Sequence, residues 1–356
     1  YLQSSINTTV TKHSDWKKTM SLFHESKSII LISIAIISLA SFSSSNAMTL
    51  KIATLAPDGT TWMKKMRAAA TEIDKKTEGR VKFKFYPGGV MGNDKSVMKK
   101  IRLGQLQGGA LTGGSLASIY PDMQIYSLPM VFENYEEIDF VRPIIDPLLK
   151  KGMKEKGFTI LGISEGGFAY LMSDSTVVNI EDLKKKKLWI PEDDVLNEAL
   201  FVKMGVYPVT LPLADVYTGL QTGLIDTIGA TPTGALAFQW HTRIRSVTDV
   251  PLLYLVGVLV VDNKRFDKIS PGDQKIVKDT VAETFAEMDA VNRKDNDSAR
   301  EALQKMSTEF ARPDIKEIAY WNTFADEVIE EMGNKAASPE LYKQLKELLA
   351  KQRAKN

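Results

Sequence analysis

From residue 50 onward the chain alternates short apolar runs with amphipathic stretches of helical period, the pattern of an α/β fold with helices on both faces of a sheet. Strand character falls at residues 50–55, 80–86, 109–111, 158–163, 168–172, 187–190, 209–211 and 225–229. The run PLLYLVGVLVV at 251–261 reads as a central strand buried on both faces. Between these the pattern predicts helices at 60–75, 94–103, 135–150, from 193, at 213–222 and from 233. Ser270-Pro271 supplies an N-cap and a proline suited to the first helical position, and the helical period then persists to about residue 310. A helix of about 40 residues would be ~60 Å long, more than one compact domain covers, so it should bridge two lobes. Two further helices are expected at 313–332 and 338–351.

The longest apolar run, residues 29–42, does not fit this alternation. It follows Lys17, Lys18 and Lys27, is interrupted by Ser33, Ser38 and Ser41, and precedes small residues at Ser45 and Ala47. At 14 residues it is short for a span that needs about 20, and it reads as a secretory signal peptide cut before Met48, with Met20 as its start. A membrane anchor is the competing reading. Residues 1–47 are thus expected to be an upstream extension plus leader, and the remaining 309 residues carry 42 basic and 42 acidic side chains. That balance argues against a protein whose affinity rests on counterion release, so no nucleic-acid partner is expected. The chain has no cysteine, which removes disulfides, thiol nucleophiles and Cys-ligated metals, and only His241 remains after His13 and His24 leave with the leader. No metal and no cofactor are expected. The basic run at 184–187 reads as a solvated edge.

One motif points to catalysis. Gly162-Ile163-Ser164-Glu165-Gly166 matches G-x-S-x-G after a strand, with acids and then His241 downstream in hydrolase order. A nucleophile elbow needs a helix directly after the serine, whereas GGFAYLMS reads as strand. A serine hydrolase using Ser164 is therefore the alternative to a non-enzymatic binding protein.

Four segments carry a more specific signal: FYPGGVMGND (85–94), SLPMVFENYEEIDFV (127–141), NIEDLKKKKLWIP (179–191) and LPLADVYTGLQTGLIDT (211–227). In this order and spacing they resemble the solute-binding subunit of tripartite ATP-independent periplasmic (TRAP) transporters, of the dicarboxylate-binding-protein type, over residues 50–350. The resemblance implies a two-lobed periplasmic binding protein fold with a long interlobe helix and a solute trapped between the lobes on closure. It also implies delivery to TRAP membrane subunits driven by a sodium gradient; a sensor-serving binding protein is the other role it allows. The lobes would comprise residues 48–166 with 252–292, and 167–251 with 293–356 including the C-terminal helices.

The family's carboxylate anchors are an arginine in a strand pattern that aligns with Trp189, a second arginine near Phe168, and an asparagine near Ala230. No arginine lies between Arg142 and Arg243, so no shift of alignment restores either one. Trp189, Phe168 and the nearby Trp240 offer flat apolar surface in their place, and Glu192, Asp193 and Asp194 offer acceptors for an amine or hydroxyl. The expected solute is thus not a simple dicarboxylate. Thr54, Gly113, Gly114, Ser115 and Thr231 stand at the loop ends of strands, where open α/β sheets place ligands. Asp215, Tyr217 and Gln221 are expected to support the second lobe.

Overall fold

The computed structural model describes residues 47–192 and 194–355; the expected extension and leader, apart from Ala47, and Asp193 lie outside the described residues. In chain order the strands are β1 (Met48–Thr54), β2 (Val81–Tyr86), β3 (Gly108–Thr112), β4 (Phe158–Ser173), β5 (Trp189–Pro191), β6 (Val209–Leu211), β7 (Thr227–Ala230), β8 (Ser246–Thr248), β9 (Leu253–Asp262) and β10 (Glu309–Ala311). The helices are α1 (Thr61–Lys76), α2 (Asp94–Arg102), α3 (Tyr135–Glu155), α4 (Ile180–Leu183), α5 (Val195–Lys203), α6 (Val216–Thr222), α7 (Pro232–Ala237), α8 (Asn263–Phe266), α9 (Pro271–Lys305), α10 (Ile315–Met332) and α11 (Pro339–Arg353). Polar side chains fix many of the helix starts: Thr60, Asn93, Asn134 and Ser270 each accept a backbone N–H from the first turn of α1, α2, α3 and α9.

The sheet runs β10-β8-β4-β9-β3-β1-β2, with β7 also pairing β4, and β5-β6 form a separate parallel pair. Parallel β2-β1-β3 on one side and β7, β8 and β10 on the other are joined through β4. β4 pairs with antiparallel β9 from Phe158 to Ala169, then with β7 and β8 from Tyr170 to Ser173. One strand therefore serves two sheet regions, as the two-lobed fold requires. The parallel strands are joined by α1 and α2, which bury Met63, Met66 and Ile73 and Val97, Met98 and Ile101.

The residues expected to form two strands at 158–163 and 168–172 are one 16-residue strand. The glycine-rich stretch between them stays paired with β9 through register shifts at Ile160/Gly162 and Glu165/Gly167. The long helix is 35 residues, ~52 Å, and ends at Lys305 rather than near residue 310. Ser307 takes a left-handed φ of 64° and turns the chain into β10, which lies parallel to β8. Both strands have three residues, too few for any period to show. β9 alternates between half-buried and buried as far as Gly257 and is buried on both faces only from Val258 to Val261.

Among the described residues three apolar clusters hold the fold. One packs Leu50, Ile52, Met66, Val81, Leu259, Val277 and Phe285 between β-strands, α1 and α9. A second gathers Met172, Trp189, Val216, Ile228, Trp240 and Val247. The largest continues from Val97 and Leu116 through Ile138 and Ile145 to Leu200, Trp321 and Leu345. The C-terminal helix α11, grouped by sequence with the second lobe, reaches back to α3, where Arg353 Nε donates to the buried Glu137 carboxylate at 2.6 Å. Among the described residues no helix is long and apolar enough to cross a membrane.

Candidate functional site

The N-cap of α2 faces the end of β5. Asn93 Oδ1 accepts the Ser96 N–H, fixing the amide, and its Nδ2 donates to Glu192 Oε2 at 2.9 Å across 99 residues of chain. Beside this bridge a cavity of about 400 Å³ is lined by Lys95, Glu192, Val195, Glu198 and Thr210. Its size suits a small organic solute. Asp194, next to it, caps α5 by accepting from Asn197 N at 3.2 Å and Nδ2 at 3.0 and 2.9 Å. Burial pushes the Asp194 carboxyl above the usual carboxylate range, against the pull of those bonds. Across the cleft, burial likewise raises Asp94, although it accepts from both Thr112 N and Oγ1.

The aromatic residues singled out by sequence do not form one surface. Trp189 and Trp240 meet edge to face at 5.6 Å, Trp240 stacks on Phe238, and the Trp189 indole donates to Leu211 O at 3.0 Å. Both tryptophans belong to the second apolar cluster, with Ala230. Phe168 sits in a different cluster, packed at 5.1 Å from Tyr135 and 5.0 Å from Tyr254. Burial pushes the Tyr135 hydroxyl up to about 12. Thr54, at the end of β1, is buried and accepts the Ala56 N–H. Gly114 and Ser115 open the 3-10 turn Gly114–Ser118, with Ser115 Oγ donating to Thr112 O. Gly113, just before it, leaves no room for a Cβ, which would lie 2.8 Å from Val256 Cγ2. Thr231 caps α7 through Gly234 N. Gln221 Oε1 accepts from Arg243, while Asp215 and Tyr217 are exposed. The cleft thus collects Glu192 from the expected residues, and adds Asn93, Lys95, Glu198 and Thr210.

A polar assembly on the crossing strand escaped the sequence reading. Glu165, with 2% of its side chain exposed, accepts from Arg142 Nη1 at 3.0 Å and from Arg293 Nε and Nη2 at 2.7 and 2.6 Å. Arg142 also pairs with Asp289 at 2.6 Å and Asp146 at 3.2 Å, and Arg293 with Asp139. Burial works against the Arg142 charge, yet Asp146 and Asp289 outweigh it and hold its pKa above the ordinary value. Asp289 is pushed up by burial, whereas the Arg293 bond holds Asp139 below its usual range. The backbone is gripped as well: Glu165 N donates to Asp289 Oδ1 at 2.8 Å, and Asn292 and Asn296 donate to the carbonyls of Glu165 and Gly166 at 2.6 and 3.0 Å. Asp289, Asn292, Arg293 and Asn296 recur at helical spacing, so a polar stripe on α9 facing a glycine-rich strand was the available signal. An open groove of about 760 Å³ lies beside them. Ser164 stands inside this assembly, 1% exposed, with its Oγ 3.3 Å from Asn292 Nδ2, and β4 runs on for nine residues without turning into a helix. No nucleophile elbow is built there.

Comparison with known proteins agrees with this architecture. Residues 52–336 match the family model described as bacterial extracellular solute-binding protein, family 7. The C4-dicarboxylate-binding periplasmic protein DctP of Rhodobacter capsulatus is 26% identical over 269 residues, 74% of this chain and 79% of that protein. The sialic acid-binding periplasmic protein SiaP of Vibrio cholerae is 23% identical, over 72% of this chain and 80% of its own length. Among solved structures, a TRAP periplasmic solute-binding protein from Xanthobacter autotrophicus Py2 with bound β-D-galacturonate superposes with a TM-score of 0.77 at 20% identity, covering 86% of this chain and 99% of that one. One from Sulfurospirillum deleyianum with bound succinate gives 0.75 at 20% identity, covering 84% and 99%.

Proposed function

The chain belongs to the family-7 bacterial extracellular solute-binding proteins, the solute-binding subunits of TRAP transporters, and from that premise we propose where and how it takes its cargo. The solute occupies the cleft between the start of α2 and the β5–α5 turn, and capture is non-catalytic. The observation that carries this reading is the Asn93–Glu192 hydrogen bond, which joins segments of the two proposed lobes beside a solute-sized cavity. The lobes are residues 48–166 with 252–292, and 167–251 with 293–356. Contacts from both favour the closed form, since a ligand shifts an equilibrium only by its differential affinity for the two states.

Among the described residues the cleft presents Glu192, Glu198 and Thr210 with Lys95, and no arginine lines it. It therefore selects a solute through hydroxyl or amine donors more than through an arginine–carboxylate pair, and simple dicarboxylates are poor cargo. Trp189 and Trp240 pack in one apolar cluster and Phe168 in another on the crossing strand, and of the residues expected from sequence only Glu192 lines the cavity among the described residues. Export follows from the expected leader at residues 20–47, and release goes to TRAP membrane subunits. A thermal-shift screen of succinate, malate, D-galacturonate, polyols and amines tests the reading, because a ligand at about 100 times its Kd stabilises by ~2.7 kcal/mol. The expected hit is a hydroxyl- or amine-bearing solute whose shift is lost in Glu192→Gln. A largest shift from succinate or malate would refute the solute class, and hydrolysis of a solute abolished by Ser164→Ala would refute non-catalytic capture.

A further inference from the structure

Asn296 holds two pieces of chain with one amide. Its Nδ2 donates to Gly166 O at 3.0 Å and its Oδ1 accepts from Thr233 N at 3.2 Å. Gly166 lies just before the register shift that closes at Gly167, where φ is +100° and a Cβ would stand 2.5 Å from Asn296 Nδ2. Thr233 is in the first turn of α7, which follows β7. Below this point α9 grips β4 through Asp289, Asn292 and Arg293, all directed to Ser164 or Glu165. Arg142 from α3 adds to that grip by donating to Ile163 O at 2.8 Å. Above it the helix contacts β8–β10 territory through Arg300, paired with Asp249 at 2.7 Å and set over the Phe310 ring at 4.3 Å. Glycine is suited to a pivot because its backbone crosses positive φ without the steric cost that a side chain brings.

We infer that the lobes rotate about Gly167 and that Asn296 is a clasp made only while they are together. The inference rests on the two-lobe reading above. Gly166 O is fixed to the Glu165 block of the first lobe, whereas Asn296 and Thr233 both belong to the second, so a rotation between the lobes gives up the bond to Gly166 O while Thr233 N holds the amide on its own lobe. The clasp therefore biases the lobes toward contact from a position outside the cleft, and its loss weakens solute capture without touching solute.

The chain has no cysteine, so spin labels at Lys75→Cys on α1 and Thr218→Cys on α6 report the lobe separation directly in the ligand-free protein. Wild type should show a short and a long distance. Asn296→Asp keeps the acceptor for Thr233 N but sets a carboxylate against Gly166 O; one lost hydrogen bond should raise the long-to-short ratio about threefold to tenfold. Asn296→Ala, which removes both bonds, should raise it at least as much. A ratio within twofold of wild type in both variants, even with a lower melting temperature, would make Asn296 a merely structural residue and overturn the inference. A single long distance in wild type would overturn it as well, and a single distance that the solute giving the largest thermal shift leaves unmoved would instead overturn the two-lobe reading on which it stands.

Discussion

Replacing Glu165 by Gln tests how strongly the crossing strand is bound to α9. The substitution preserves shape and removes a carboxylate that receives three charge-assisted bonds, from Arg142 and twice from Arg293, at 2.6–3.0 Å. Each such bond contributes about 1.5–3 kcal/mol, and breaking a buried pair costs about 3–5 kcal/mol because a charge is left uncompensated. Here the charges are not abandoned, since Arg142 keeps Asp146 and Asp289 and Arg293 keeps Asp139. The expected loss is therefore at the lower end, about 3 kcal/mol, or a fall in Tm of about 4–5 °C for a chain of this size. Urea unfolding of Glu165→Gln, Arg293→Met and the double variant measures it. Coupling between the two sites should exceed ~1.5 kcal/mol, the scale expected for directly paired residues. A loss below about 1 kcal/mol with additive single effects would show that the assembly is solvated and does not stiffen the strand.

Other outcomes follow from the same geometry. Asp273 accepts a bidentate pair of bonds from Arg80 at 3.0 Å, and that partner holds its carboxyl below the usual range. A depressed folded-state value means stability that is present above the ordinary carboxylate value of about 3.9 and lost as pH falls through the folded one. Asp273→Asn should thus be less stable than wild type at pH 7, with the difference fading below pH ~3.9 in urea titrations; an unchanged gap at low pH would contradict the assignment. Trp189→Ala should lose about 3–5 kcal/mol by opening a cavity against Trp240 and Val216, whereas Trp189→Phe, which keeps most of the packing but drops the bond to Leu211 O, should lose clearly less; calorimetry distinguishes them. Asn93→Ser, which keeps a cap for α2 but removes the amide that donates to Glu192, should weaken solute binding about twofold to tenfold with little change in the Tm of the free protein, and equal affinities by titration calorimetry would separate the bridge from closure.

Much of the fold was legible because it rests on period and caps. The start of α9 was announced by Ser270, which caps as expected, while α1 and α2 were found from their period and their caps Thr60 and Asn93 emerged only in the structure. The strand at 158–173 was cut in two because Ser164–Gly167 looks like a loop when only hydrophobicity is counted. Its polar groups are satisfied by side chains from residues 289–296, and no local pattern shows a partner more than 120 residues away. β8 and β10 were missed for their brevity. The cleft was only half visible: Glu192 stood out beside its strand, but Asn93 was not singled out, and its bond to Glu192 joins segments 99 residues apart. Trp189, chosen for the arginine it replaces, spends its indole N–H on Leu211 and one ring edge on Trp240, a pairing that sequence spacing does not encode.

The claim at the centre is that two lobes close on an unaltered solute. X-ray scattering of residues 48–356, titrated with the solute giving the largest thermal shift and followed by mass analysis of the released small molecule, addresses both halves together. The account predicts a saturable fall in radius of gyration at one solute per chain, with the solute recovered unchanged. A radius indifferent to saturating solute, or recovery of a converted product, would contradict it.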